Sequence, residues 1–123
     1  MLSTQLQNAA EIFVSAVTSS PEMETFVRTK GVFQGDPELS ILRKRFGEQS
    51  KEVQSKQNTG TLTQEEIGAI RALQNSINSH PLTVQYLQAR KAIIGQLQEC
   101  NAAVSAELGF DFASAAAPQS CCG

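Results

Sequence analysis

The sequence predicts an all-α fold of about five helices, organised on a long antiparallel helical hairpin. Three observations lead there. Apolar residues recur three and four apart through most of the chain, and no stretch alternates as a half-buried strand would. Proline opens helices at Ser20-Pro21-Glu22, Asp36-Pro37-Glu38 and His80-Pro81. Gly60-Thr61-Leu62-Thr63 carries the chemistry of a tight turn between two helices.

The first helix begins after Ser3 or Thr4, with an apolar face of Leu6, Ala9, Ala10, Phe13, Ala16 and Val17, and ends at Thr18-Ser19-Ser20. Ser20-Pro21-Glu22 starts the second helix, which continues through Met23, Phe26 and Val27. Gly31 to Gly35 reads either as its last turn or as a loop.

The hairpin spans Asp36 to Ser79. Asp36 is placed to accept from the first free N–H groups, Pro37 has no N–H to leave unpaired, and Glu38 suits the positive end of the helix dipole. The outgoing helix, about 37–59, carries Leu39, Leu42, Phe46 and Val53 on one stripe. Gly60 ends it, because glycine adopts a left-handed conformation at little cost. Thr63 and Glu66 make a capping box, and Leu62 and Ile67 a hydrophobic staple. The return helix, about 64–79, carries Ile67, Ile70, Leu73 and Ile77.

Pro81 forces the preceding residue out of the α region, so the return helix ends near His80. The fifth and longest helix, about 81–108, presents Leu82, Tyr86, Ala89, Ile93, Leu97, Cys100, Val104 and Leu108, and Gly109 stops it. Residues 1–112 read as one helical domain, and 113–123 as a flexible Ala/Ser-rich tail ending in Cys121-Cys122-Gly123. The N-terminal helices and the fifth helix are expected to cover the base of the hairpin. Gly47, Gly68 and Gly95 lie inside helices, either as close helix approaches or as tolerated losses.

The chain has 123 residues, 41% hydrophobic and 18% charged, with a net charge of −2, so nothing global draws it to nucleic acid or anionic membrane. No apolar run reaches the roughly 18 residues that span a bilayer. Met1 to Gln5 shows neither a basic nor an apolar signal region. Three cysteines make no disulfide framework. A cytoplasmic protein with reduced thiols is expected.

The two Xaa-Pro-Glu starts, the glutamine-rich Gln49 to Gln57 helix, the Gly60-x-Leu62-Thr63-x-Glu65-Glu66 turn and His80-Pro81 before a long last helix occur in a characteristic order. In that order the chain resembles the YlbF/YmcA family of small helical bacterial regulators, which includes the YheA-like proteins, over roughly residues 5 to 112. The resemblance implies an all-α hairpin fold and a non-enzymatic regulatory or adaptor role acting through protein–protein contacts. It implies homo-oligomers or hetero-complexes with related helical regulators. It also implies an accessory part in mRNA processing by the ribonuclease RNase Y, with links to competence, sporulation and biofilm control.

Cys121 and Cys122 are the candidate metal ligands. The family's cluster-binding members use cysteines near the C-terminus, so the resemblance places an iron–sulfur cluster here. A cubane cluster takes four thiolates and adjacent residues are strained as ligands of one cluster, so a partner chain would have to share it. The alternative is two exposed thiols on a tail.

Cys100 falls on an apolar stripe and reads as a small hydrophobe. His80, the single histidine, reads as a helix-end residue, with no acid or cysteine at catalytic spacing. Arg43, Lys44, Arg45, Lys51 and Lys56 give the third helix a basic side. Glu48 and Glu52 interleave with them and no aromatic residue offers a base a stacking surface, so a solvated face is expected rather than RNA binding. The interaction face expected on the hairpin is Leu39, Leu42, Phe46, Val53, Ile70 and Ile77; Gly60, Leu62, Thr63 and Glu66 are its structural turn.

Overall fold

The computed structural model describes residues 1–118. Cys121 and Cys122 lie outside the described residues. Six helices follow in order: α1 (Thr4–Thr18), α2 (Pro21–Gly35), α3 (Pro37–Thr59), α4 (Gln64–Ser79), α5 (Pro81–Leu108) and α6 (Phe112–Ala116). The described residues contain no strand.

Local chemistry sets the boundaries. Ser3 accepts from Leu6 N–H at 3.2 Å and caps α1. Ser20 accepts from Met23 N–H at 3.2 Å, and Asp36 Oδ2 from Leu39 N–H at 2.9 Å, each just before its proline. Gly60 and Gly109 end α3 and α5 at φ 73° and 81°, the two positive-φ positions among the described residues. Both are left-handed, where any side chain would be strained. Residues 31–35 continue α2 as helix, which settles the turn-or-loop alternative.

Two packings build the molecule: α3 folds back on α4, and α2 lies along α5. The second pair is antiparallel. Ser20 at the start of α2 bonds Gln96 at 3.2 Å, whereas Phe33 near its end stacks on Tyr86. Tyr86 has an aromatic ring on each side, with centroids 5.7 Å from Phe26 and 4.8 Å from Phe33. Cations cap the row: the Lys30 ammonium lies 5.9 Å from the Phe26 centroid, and the Arg43 guanidinium 4.8 Å from that of Phe33. Arg43 belongs to α3, so the row joins α2, α3 and α5 in one joint.

The enclosed core is thin. Leu39, Leu73, Ala89 and Ile93 are its buried apolar residues, with Leu39 wholly inaccessible. Thr83 is buried beside them with no hydrogen-bond partner for its hydroxyl.

Two expectations change. The first helix does not cover the base: its backbone packs beside α2, no residue of it is buried, and most of its apolar face stands in solvent, with Phe13 reaching a groove shared with α5 and α6. A sixth helix occupies Phe112–Ala116, where the composition reads as tail. Asp111 caps it through Ser114 N–H at 3.2 Å. Ser105 and Asn101 on α5 accept from Phe112 and Ala113 N–H, each at 2.9 Å. The backbone N–H groups of a helix start are thereby satisfied by α5 side chains, which pins the short helix in place. At Gly47, Gly68 and Gly95 an added Cβ would meet nothing within 4 Å, so none marks a close approach inside the chain.

Replacing Tyr86 with alanine removes the middle of the aromatic row. Tyr86→Ala is expected to lower unfolding free energy by about 2–4 kcal/mol in urea titration at fixed protein concentration. Tyr86→Phe, which keeps the ring, and Phe110→Ala, at a 54% exposed position, should each cost about 1 kcal/mol or less.

Candidate interaction surface

Along the arm, Leu39 and Leu73 are buried and the other stripe residues are half-buried. Leu39 takes its place in the chain's own core and is closed to any partner. Leu42, Phe46, Val53, Ile70 and Ile77 of α3 and α4 are half-buried. Gln49, Val53, Glu66 and Ala69 line a shallow groove between the two helices.

The tip is held by polar contacts. Glu66 Oε1 accepts from Thr63 N–H at 3.2 Å and Thr63 Oγ1 at 2.8 Å, while Thr63 Oγ1 accepts from Glu66 N–H at 3.2 Å. The capping box is therefore complete. Glu66 Oε2 also receives Lys56 from the other helix, and Lys56 lies 3.4 Å from Glu52 one turn back. The hydrogen bond from Lys56, then that from Thr63, holds the Glu66 carboxyl below the usual carboxylate range. Chiefly through Glu66, the Lys56 pKa is raised above its ordinary value. One carboxylate thus closes the turn and ties the two helices together.

At the base, Asp36, Glu38 and His80 bring donor atoms within 4.8 Å of one another. The hydrogen bonds decide what this cluster does. His80 Nδ1 accepts from Leu82 N–H at 3.2 Å and caps α5. The neutral ring then carries its proton on Nε2, which faces Glu38 Oε2 at 3.6 Å. A cation would need the Nε2 lone pair and would cost α5 its cap. The cluster is built as a helix cap with a carboxylate facing it, not as a metal seat.

The basic side of α3 is partly engaged within the fold. Arg43 donates from Nε to the Leu39 carbonyl and from Nη2 to the Gln34 carbonyl, each at 3.4 Å, besides covering Phe33. Lys56 is held at the clasp, which leaves Lys44, Arg45 and Lys51 as exposed cations of that set.

The largest unsatisfied feature is apolar. Leu6, Ile12, Phe13 and Val14 of α1 are 46–71% exposed. Leu97, Val104 and Leu108 of α5 are 38–50% exposed, and Phe110 and Phe112 continue the patch. The α5 stripe is buried as far as Ile93 and open beyond it. Phe13, Leu97, Cys100, Val104 and Phe112 line a groove of about 210 Å³ between α1, α5 and α6. Cys100, the free thiol among the described residues, sits half-buried in this apolar lining.

Residues 6–109 match the family model described as control of competence regulator ComK, YlbF/YmcA. The chain belongs to the YlbF/YmcA family. No curated protein and no solved structure gives a significant match. The family assignment carries with it a regulatory role, as its description states. In this YlbF/YmcA chain the expected turn residues Gly60, Leu62, Thr63 and Glu66 come together at the hairpin tip, and the expected face residues other than Leu39 line the arm. No helix among the described residues is long and apolar enough to cross a membrane.

The aromatic row and the α6 dock were missed by sequence reasoning. Asp111, three residues before Ser114 and followed by alanines, is a helix-start signal that could have found α6. The pairing of Tyr86 with Phe26 and Phe33 leaves no local signal.

The clasp gives a pH dependence with a definite sign. Because the folded Glu66 pKa is depressed, its contribution is present above the ordinary glutamate pKa and lost as pH falls through the lowered value. Acid titration should therefore shift the Thr63 and Glu66 amide resonances towards an opened turn, and Glu66→Gln should remove that acid-dependent step. Lys56 acts oppositely: with a raised folded pKa, its contribution is lost only as pH climbs through that value.

Proposed function

We propose that this chain is a non-enzymatic adaptor that regulates by docking helix faces onto other proteins. The observation that carries this reading is the large total surface left open, with Leu6, Ile12, Phe13, Leu97, Val104 and Leu108 among the large apolar residues exposed on it. The chain exposes 9418 Å², whereas a compact monomer of its 13.3 kDa mass exposes about 6,500 Å². Isolated exposed apolar residues need no explanation, but contiguous ones rimmed by polar residues mark contact sites. The half-covered stripe of the arm, Leu42, Phe46, Val53, Ile70 and Ile77, is the proposed docking face for a regulatory partner. Family membership supports a partner in competence-type control. The resemblance extends this to a related helical regulator and the ribonuclease RNase Y, in a cytoplasmic complex.

Affinity capture with the full chain, under reducing and anaerobic conditions, tests the reading. A related helical regulator or a ribonuclease should be recovered. Phe46→Ala or Val53→Ala should weaken that recovery by about tenfold or more, as truncating a central apolar anchor does. Lys44→Ala should leave it unchanged. Recovery of neither protein class would overturn the proposal.

A second reading rests on the adjacent thiols in the sequence. Cys121 and Cys122 would serve as thiolate ligands of an iron–sulfur cluster completed by a partner chain. Anaerobic preparation of the complex should then show iron and a visible chromophore, both lost in Cys121→Ser/Cys122→Ser. Metal-free preparations, alone and with partner, would dispose of it.

A further inference from the structure

We infer that His80 is a proton-operated swivel between the arm and the α2–α5 body. Neutral, its ring caps α5; protonated, it releases that cap and turns to the carboxylates of Asp36 and Glu38 at the start of α3. The inference goes beyond the adaptor reading and does not depend on it.

Position gives the first reason. His80 is the single residue between Ser79, the last of α4, and Pro81, the first of α5. Its backbone is held from both sides. The His80 N–H donates to the Ile77 carbonyl at 3.3 Å, and the His80 carbonyl accepts from Val84 N–H at 3.0 Å. Pro81 keeps the residue extended, at φ −61° and ψ 133°. Only the side chain is free to change partners.

Proton chemistry gives the second. Nδ1 accepts from Leu82 N–H at 3.2 Å, and Nε2 faces Glu38 Oε2 at 3.6 Å. A neutral imidazole has one acceptor nitrogen and an imidazolium has none. Protonation of Nδ1 therefore sets two N–H groups against each other, and the Leu82 N–H loses its partner. Asparagine or serine caps a helix without this dependence. Histidine makes the cap conditional on a proton, in the range of roughly pH 5 to 8.

The surroundings give the third. The ring lies where the negative end of the α4 dipole meets the positive end of the α5 dipole, so a positive ring is drawn to one and repelled by the other. The titratable groups facing it are Asp36 and Glu38 of α3, with donor atoms within 4.8 Å. The last turns of α2 and α4 and the first turn of α5 hold no charged residue. Arg43, the cation at the base of the arm, is turned to Phe33 and to the carbonyls of Gln34 and Leu39. A proton at His80 thus favours α3 and disfavours α5. Thr83, in the same turn of α5, is 4% exposed with its hydroxyl unpartnered. An unpaired buried polar group works against the arrangement that encloses it, and opening the turn relieves it.

Nuclear magnetic resonance on the full chain, titrated from about pH 8 to about pH 5, tests the swivel. At the upper pH the ring nitrogens should show the proton on Nε2. The Leu82 amide resonance should move with the same midpoint as the His80 ring protons. Its exchange protection should fall by roughly tenfold, the factor that one hydrogen bond supplies. His80→Asn, which caps without titrating, should keep the Leu82 amide fixed and protected across the range. Glu38→Gln and Asp36→Asn, the latter still a competent cap for α3, should each move both midpoints to lower pH, because each removes a charge that favours the imidazolium. Far-UV circular dichroism checks that the variants keep their helices. A ring that titrates without moving the Leu82 amide, or a Leu82 step that survives His80→Asn, overturns the inference. Midpoints unmoved by both carboxylate variants overturn it as well, since the protonated ring then has not turned to α3.

Discussion

The row of Phe26, Tyr86 and Phe33, closed by Arg43, is the joint on which the rest of this structure depends. Here three helices meet through large side chains. Phe26 and Phe33 sit two turns apart on α2 and grip Tyr86 from both sides, which fixes the register of α2 on α5. Arg43 then fixes where α3 leaves α2, because its guanidinium lies on Phe33 while its N–H groups hold the carbonyls of Gln34 and Leu39. A lysine could supply the charge but not the planar fork that stacks and donates at once. Arg43 is thus one of the contacts at the base of the arm, beside the buried Leu39 and the packing of α4 on α5.

Outward from that joint the restraints change in kind. Near the base they are apolar: Leu39 is wholly buried, with Leu73, Ala89 and Ile93 close to it in accessibility. At the far end they are polar: the Thr63–Glu66 box and the Lys56–Glu66 contact do what burial cannot do on an exposed tip. A surface ion pair alone contributes little. Here the carboxylate also satisfies the Thr63 N–H, so the clasp acts mainly by fixing the geometry of the turn. The result is an arm about 35 Å long, by the rise of α3, held at both ends and half-covered between them.

How much of this was legible in the sequence follows from the range of the interactions involved. Asp36, Gly60, Thr63, Glu66, Pro81 and Gly109 act on backbone groups within four residues, so their types and spacing were enough to draw five helices and the hairpin. The face residues Phe46, Val53, Ile70 and Ile77 were legible from periodicity, which says that a face is apolar but not what covers it. That is why Leu39 and Leu42 looked alike in sequence and differ in the fold, one enclosed and one half-open. It is also why the stripe of α1 was expected against the base and stands free instead. Tyr86 meets residues 53 and 60 positions away, and α6 is held by Asn101 and Ser105. Neither pairing is written in local spacing.

The contrast between firm punctuation and a thin core bears on what such a chain can do. Its caps, prolines and stop glycines fix helix ends without tertiary help, since each is satisfied within one turn. A chain built this way keeps its helices while leaving their faces unspent. Burial that an ordinary domain would use internally is then available to a second molecule, and binding and folding draw on the same surface. Such a protein gains stability with the logarithm of partner concentration once that concentration exceeds the dissociation constant. On the adaptor reading proposed above, a regulator whose fold is firmed by its partners would sense their concentration through the open stripes of α1, the arm and the end of α5.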